Sequence, residues 1–267
     1  MLPKTRMTTA RSFSRAIVRP PSANFAEGLT SVRLGVPVYA QTLKQHEAYC
    51  AALEQCGLKL VHLEADERYP DSTFVEDAAV ITDRGAILTR PGAPSRTGEV
   101  AEVREALEQF YPTLSFIHAP GTLDGGDVCE AENHFFIGLS ERTNEAGARQ
   151  LAKWLASLDY TSSFVDIREV KGILHLKSGL EYLGDNRMVV IDALSNSQDF
   201  RAYERIDVNE HEEYAANCVR VNEHILVAAG YPELEKRLSD LGCQTISLEM
   251  TEFQKMDGGL SCLSLRF

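Results

Sequence analysis

The sequence predicts an α/β protein in which five repeated units, each a β-hairpin followed by a helix and a further strand, close into a ring. Three observations predict it. Strand-like and helix-like stretches alternate from Phe13 to the last residue, a hairpin precedes each helix, and one polar residue recurs near the start of each unit's first strand. Those residues are Asp77, Asp124, His175, Asn217 and Cys262, separated by 47, 51, 42 and 45 positions. Repeats of roughly 20 to 50 residues mark radial or stacked architectures. A ring whose last strand pairs with its first has no open sheet edge, and it brings the five polar residues to one central pocket. A doubly wound α/β sheet also alternates strands and helices, but it accounts neither for the hairpins nor for the equivalent polar positions.

Taken in order, Ser14–Arg19 reads as a short strand stopped by Pro20-Pro21. Leu43–Cys56 has helical spacing and meets Gly57, a C′ glycine. Leu58–Leu63 is the next strand. Phe74–Thr82 and Ala86–Arg90 flank the turn Asp83-Arg84-Gly85, then a helix runs from Gly98 to Phe110 with Val100, Val103, Leu107 and Phe110 on one face, and Leu114–His118 follows as a strand. The pattern repeats with Asp124–Cys129, His134–Leu139, a helix Asn144–Leu158 and a strand Ser163–Ile167. The third unit has Ile173–Leu183, Met188–Ile191, a weak helix over Ser197–Arg205 and a strand Ile206–Val208. The fourth has Asn217–Val221, His224–Ala228, a helix Tyr231–Leu241 and a strand Gln244–Leu248. Leu260–Phe267 has no downstream partner, which leaves Ser14–Val18 to complete the fifth unit. One catalytic domain over residues 1–267 is expected, with residues 1–12 a frayed lead-in.

Composition narrows the function. With 44% hydrophobic and 25% charged residues, the 267-residue chain is an ordinary globular one. The net charge of −12 argues against nucleic acid, whose phosphates need a basic footprint. No apolar run approaches the roughly 18 residues that span a bilayer. Residues Met1–Ala16 lack the apolar stretch of a secretory signal; Met7 is an alternative start, and the acid-free, Arg-containing composition is the weaker case for a mitochondrial leader. Six scattered cysteines without metal-ligand spacing point to reduced thiols in a cytoplasmic setting.

Cys262 follows Gly258-Gly259 and opens a short apolar run, so a turn can hold it at a cleft mouth. Free cysteine is more often a small buried hydrophobe, and the constellation is what lifts it above that reading. Carboxylates at inner strand starts are costly unless they are paired or face a ligand. Asp71, Glu76 and Asp77 form one such group and Asp124 and Asp127 another, although Asp71 or Asp127 alone reads more simply as a turn or cap residue. Strand alternation sets Asp77 and Val75 on one face and Glu76 on the other. No His pair has metal-ligand spacing, and a nearby thiolate suits Mg²⁺ or Ca²⁺ poorly, so no metal and no organic cofactor is expected. An organic cation remains: a guanidinium held by planar carboxylates with a thiolate aimed at its carbon. His175 suits the acid–base role because its ordinary pKa lies near neutrality.

The stretches Phe74–Asp77, Leu88–Arg96, Leu123–Val128, Gly138–Asn144, Leu174–Ser178, Ala216–Cys218 and Asp257–Cys262 resemble, in order and over nearly the whole chain, the dimethylarginine dimethylaminohydrolase family. The resemblance implies the five-bladed α/β propeller of the guanidine-modifying superfamily and hydrolysis of N-omega-methylated arginine to citrulline and a methylamine. It implies Cys262 as nucleophile, His175 as acid and base, and Asp124 as its orienting partner. Glu76 and Asp77 would hold the guanidinium nitrogens, Arg96 and Arg142 the α-carboxylate, and Asp71 the α-amino group with main-chain help from Leu29 and Met256. Phe74 and Asp257 complete the substrate-binding set. Leu263 departs from the mammalian-type members, which carry a second cysteine there, and the segment between Asn144 and His175 looks longer than theirs. Rival readings are a sister enzyme (arginine deiminase, citrulline hydrolase or amidinotransferase) and a non-catalytic arginine-binding module. The expected partner is a small methylated arginine, with no nucleic acid and no membrane; a two-fold homodimer is the common assembly at this size.

Overall fold

The computed structural model describes residues 11–195 and 197–267. Five three-stranded sheets follow one another around an axis. The first is β3 (Ala79–Thr82), β4 (Gly85–Leu88) and β5 (Leu114–Phe116), in that order from the inside; here β1 (Arg15–Val18) and β2 (Lys59–His62) precede them in sequence. The second and third are β6 (Val128–Ala131), β7 (His134–Leu139), β8 (Thr161–Asp166), and β9 (Leu180–Gly184), β10 (Arg187–Ile191), β11 (Glu204–Val208). The fourth is β12 (Val219–Val221), β13 (His224–Ala228), β14 (Gln244–Leu248). In each, the first two strands are an antiparallel hairpin and the third joins in parallel.

The fifth sheet takes its inner strand from the other end of the chain. β15 (Leu265–Arg266) pairs antiparallel with β1, Ala16 opposite Arg266 and Ile17 opposite Leu265, and β2 lies parallel outside β1. The predicted pairing of the two ends is present. Arg11, expected in the lead-in, is held instead: its guanidinium donates to Ile81 O and pairs with Glu130 at 3.0 Å. The rest of the expected lead-in, through residue 10, lies outside the described residues, as does the alternative start at Met7.

Helices cover the outside. These are α1 (Tyr39–Gln55), α2 (Val100–Glu108), α3 (Glu145–Ser157), a single turn α4 (Asp192–Ser195), α5 (Pro232–Asp240) and a short α6 (Thr251–Gln254). α1 begins four residues before the expected Leu43 and ends, as expected, at Gly57, whose φ of +93° lies in the left-handed region glycine tolerates. Asn144 caps α3 by accepting the Gly147 N–H at 2.9 Å. The helix expected over Ser197–Arg205 is absent: one turn of α4 and a 3-10 turn at Gln198–Phe200 replace it, because Glu204 and Arg205 extend into β11 beside Arg187 and Met188.

A second correction positions the site. Each inner strand was expected to carry its polar residue near its start, yet each strand begins after that residue, following a 3-10 turn. The turns are Val75–Ala78, Gly125–Asp127, Leu176–Ser178, Glu213–Ala216 and Ser261–Leu263. A strand running straight to the axis would alternate its side chains between faces. The tighter turn instead crowds the polar residues of all five blades into one layer, where neighbouring turns pack against each other.

Candidate active site

Asp77 lies on the Val75–Ala78 turn, and Asp124 and His175 each begin the turn of their own blade. Asn217 ends the fourth blade's turn and Cys262 sits within the fifth. The predicted convergence is therefore real. Asp77, Asp124 and His175 bring ligand atoms within 4.8 Å of one another, all buried. Their oxygens are already engaged by hydrogen-bond donors, so they form an acid–base cluster. Asp77 accepts from Gly126 N at 2.9 Å and from Arg96 Nη1 at 2.6 Å. Asp124 accepts from Gly92 N at 2.8 Å and meets His175 Nε2 at 3.1 Å.

Glycines make this approach possible. A Cβ on Gly126 would stand 2.8 Å from His175 Nδ1, and one on Gly92 would stand 2.2 Å from the Arg142 carbonyl oxygen. Behind the cysteine, Asn217 accepts the Ser261 N–H at 2.9 Å and donates to Ser261 Oγ and to Lys177 O. A Cβ on Gly259 would meet the Asn217 oxygen at 2.4 Å. Gly259 is needed for Asn217 to clamp the turn that carries Cys262, while Gly258 makes room for the Phe74 ring.

The charges set the protonation states. Burial alone lowers the His175 pKa, but the carboxylates of Asp77, Asp124 and Asp127 more than offset it and raise it to about 10. Burial raises Asp124, yet the hydrogen bond from His175 leaves it below its ordinary value. Burial, then Glu76 and Asp77, push the Cys262 thiol up to about 12. Imidazolium and neutral thiol are the resting pair at neutral pH.

Cys262 and His175 open into a narrow cavity of about 20 Å³. Its walls include Phe74, Asp77, Arg96 and Arg142, and on the outer side Asp71, Leu29, Met256 and Asp257. Residues 29–31 are tied to this wall. Leu29 N donates to both Asp71 oxygens at 3.0 and 3.2 Å, Thr30 Oγ1 donates to Lys255 O, and Ser31 donates from its amide and its hydroxyl to Asp257. A Cβ on Gly28 would stand 2.5 Å from Asp71 Oδ1, so the chain reaches Asp71 only as glycine. Phe74 stacks edge-on against Phe25 and Phe253, at 5.8 and 6.3 Å between centroids, which fixes its ring in the cavity wall.

A family model described as N,N dimethylarginine dimethylhydrolase, eukaryotic, matches residues 37–262. The N(G),N(G)-dimethylarginine dimethylaminohydrolase of Pseudomonas aeruginosa is 43% identical over 256 residues, covering 96% of this chain and 100% of that one. The chain belongs to the dimethylarginine dimethylaminohydrolase family. The Streptomyces coelicolor dimethylarginine dimethylaminohydrolase is 35% identical over 94% of this chain and 96% of its own. A Cys-to-Ser variant of the Pseudomonas aeruginosa enzyme, complexed with citrulline, superposes with a TM-score of 0.93 at 42% identity, covering 96% and 100% of the two chains. The five-bladed α/β propeller anticipated from the repeats is the fold of this dimethylarginine dimethylaminohydrolase relative.

Against the family-based expectations, two residues are placed differently. Glu76 does not line the cavity. Its carboxylate accepts from Lys177 Nζ and from Ser261 Oγ, each at 2.7 Å, with Arg266 Nη2 at 3.5 Å. The 3-10 turn is the cause: it sends Asp77 toward the pocket and Glu76 into the layer beneath, where strand alternation had put them on opposite faces of a sheet. Arg96 does line the cavity, but its donors are committed. Nε and Nη2 bond Glu99, Nη1 bonds Asp77, and Nη2 also reaches the carbonyls of Phe74 and Asp71. Arg142, with no side-chain hydrogen bond or ion pair among the described residues, is the guanidinium left open to the cavity.

Lys177, Ser261 and Asn217 were not among the expected site residues. Asn217 was flagged only by its repeat position, and Lys177 and Ser261 lay inside quoted motifs with no chemistry of their own.

Proposed function

We propose that this protein hydrolyses N-omega-methylated arginine to citrulline and a methylamine, through a covalent intermediate on Cys262. One observation carries the reading: a cysteine and a histidine share a narrow cavity with the carboxylates of Asp71, Asp77 and Asp257 and with Arg142, whose guanidinium has no hydrogen bond or ion pair among the described residues. That is the charge pattern of a bound amino acid with a cationic side chain.

Substrate binding supplies the activation that the resting site lacks. Burial and the nearby carboxylates keep Cys262 protonated, and of these carboxylates Asp77 faces the cavity, where a guanidinium would offset its charge. With the cation in place the thiol releases its proton to solvent more readily, and the thiolate attacks the guanidinium carbon. His175, already imidazolium, protonates the departing dimethylamine nitrogen, the C–N bond breaks, and a thiouronium remains on Sγ. The now neutral His175 takes a proton from water, whose oxygen attacks the same carbon. The C–S bond then breaks, the oxygen becomes the citrulline carbonyl, and the thiol is restored. Asp124 orients His175 and balances its charge. Arg142 takes the α-carboxylate and Asp71, with main-chain groups of Leu29 and Met256, the α-amino group. Arg96 and Glu76 act from behind, holding Asp77 and the Ser261–Cys262 turn.

The test is end-point product analysis of purified protein given asymmetric dimethylarginine, monomethylarginine, arginine and citrulline separately, with Cys262→Ser alongside. Citrulline plus dimethylamine from the wild type alone is the expected result. Ammonia from arginine or citrulline, with the methylated substrates untouched, would move the assignment to a sister enzyme.

A further inference from the structure

Asp127 reads from the sequence as a turn residue, and the mechanism above makes no use of it. It is fully buried, on the turn after Asp124. Its Oδ1 accepts the N–H of Leu176, the residue after His175, at 3.0 Å, and its Oδ2 accepts the Ser140 hydroxyl at 2.6 Å. The Ser140 oxygen in turn accepts the N–H groups of Arg142 and Thr143, each at 3.0 Å. Thr143 Oγ1 accepts the Asp124 N–H at 3.1 Å, and Asp124 meets His175. The hydrogen bonds thus close a circuit through Asp124, Thr143, Ser140, Asp127 and the His175–Leu176 segment, with Arg142 attached to it. Gly138 leaves the space, since a Cβ there would stand 2.9 Å from both Asp127 Oδ1 and Leu176 Cβ.

We infer that Asp127 and Ser140 form a strut that fixes the acid–base residue His175 and the carboxylate-binding Arg142 relative to one another, so that both are positioning residues for the hydrolysis. The donor count requires this arrangement. A hydroxyl oxygen has two acceptor sites, and both are filled by backbone N–H groups; its one hydrogen must go to Asp127. Both Asp127 oxygens therefore accept, and an asparagine would turn its amide donors on Leu176 N–H or on the Ser140 hydroxyl. Because the strut spans the two ends of the substrate, loosening it disturbs α-carboxylate recognition and proton transfer together.

The inference rests on the proposed hydrolysis for its kinetic readout. Ser140→Ala, checked for an unchanged melting profile, is compared with wild type on dimethylarginine and on the same compound lacking its α-carboxylate. A fall in kcat/KM of about ten- to a hundredfold is expected on the full substrate, with KM raised and kcat lowered. On the decarboxylated compound only the kcat component should persist. Ser140→Ala combined with Arg142→Ala should lose less than the product of the two single effects, and Ser140→Thr should recover activity to within a few-fold. A second readout needs no substrate: the His175 ring titration followed by NMR should move downward in Ser140→Ala, a change that alters no charge. If wild type hydrolyses neither compound, the functional reading fails while the titration still tests the strut. An unmoved titration, or kinetic losses equal on both compounds and fully multiplicative with Arg142→Ala, would overturn the inference.

Discussion

The propeller axis has two mouths, and the smaller one carries the chemistry. The front cavity measures about 20 Å³ and the rear one about 510 Å³. Between them lies the layer of Glu76, Lys177 and Arg266. The rear cavity is rich in charge, and most of it is paired: Lys177 with Glu76 at 2.7 Å and with Glu181 at 3.6 Å, and Arg11 with Glu130 at 3.0 Å, while Arg220 there leaves Nη1 without a hydrogen bond. At the front, Arg142 makes no side-chain hydrogen bond or ion pair among the described residues, and burial raises the pKa of Asp71. Size and charge content therefore do not locate the site; a thiol beside a histidine with a perturbed pKa does.

The largest effect that separates the two mouths is loss of the front nucleophile. Cys262→Ser should lower kcat by at least about 10⁴-fold while the melting temperature stays near that of wild type, because the hydroxyl fills nearly the same space. Turnover within tenfold of wild type would place the reaction elsewhere.

Next in size is a difference within the front wall itself. Arg96→Lys removes a planar donor set held by Glu99 and Asp77, so about 3 kcal/mol or more of stability should go, as for a broken buried ion pair. Arg142→Lys touches no internal partner. It should leave stability within about 0.5 kcal/mol and raise KM by about ten- to a hundredfold, with kcat changed far less. Equal KM effects and equal melting temperatures for the two would restore the paired carboxylate-binding role that the sequence suggested.

That reversal shows what the sequence could and could not reveal. The spacing of Asp77, Asp124, His175, Asn217 and Cys262 exposed the ring, since a radial repeat must place equivalent residues at equivalent depth. Strand periods located β7, β13 and β14 to the residue. The 3-10 turns were invisible because three or four residues carry no periodicity, and with them went the direction of Glu76. The commitments of Arg96 were hidden for another reason. Glu99 is its neighbour along the chain, but a Glu three residues after an Arg looks the same whether the pair is exposed or buried. Lys177 likewise becomes meaningful only when the Leu176–Ser178 turn and the first blade's turn meet across the axis.

A third effect concerns proton affinity at the front. The Cys262 pKa lies near 12 and that of His175 near 10, so the free enzyme holds thiol and imidazolium across pH 6 to 9. Alkylation of Cys262 by iodoacetamide, read by mass spectrometry of its peptide, should rise about tenfold per pH unit without a plateau up to pH 9. A plateau near pH 7 would mean that the thiolate pre-exists and that substrate charge is not needed to form it.

The smallest effect tests the rear mouth. Arg220 is buried there with its Nε on the Asn222 carbonyl, but Nη1 lacks a hydrogen bond, and burial draws its pKa below the usual arginine value. An incompletely paired buried cation is a cost to the fold, and replacing it by a neutral side chain of similar length relieves part of that cost. Arg220→Gln should therefore leave stability unchanged or raise it by up to about 1 kcal/mol, with kcat/KM inside about twofold of wild type, a surface-like response. The outcome is informative because Arg220 sits across the Glu76–Lys177 layer from Cys262. A tenfold loss of activity with an intact fold would mean that charge in the rear cavity reaches the cysteine through Lys177 and Glu76, and the two mouths would have to be treated as one electrostatic unit.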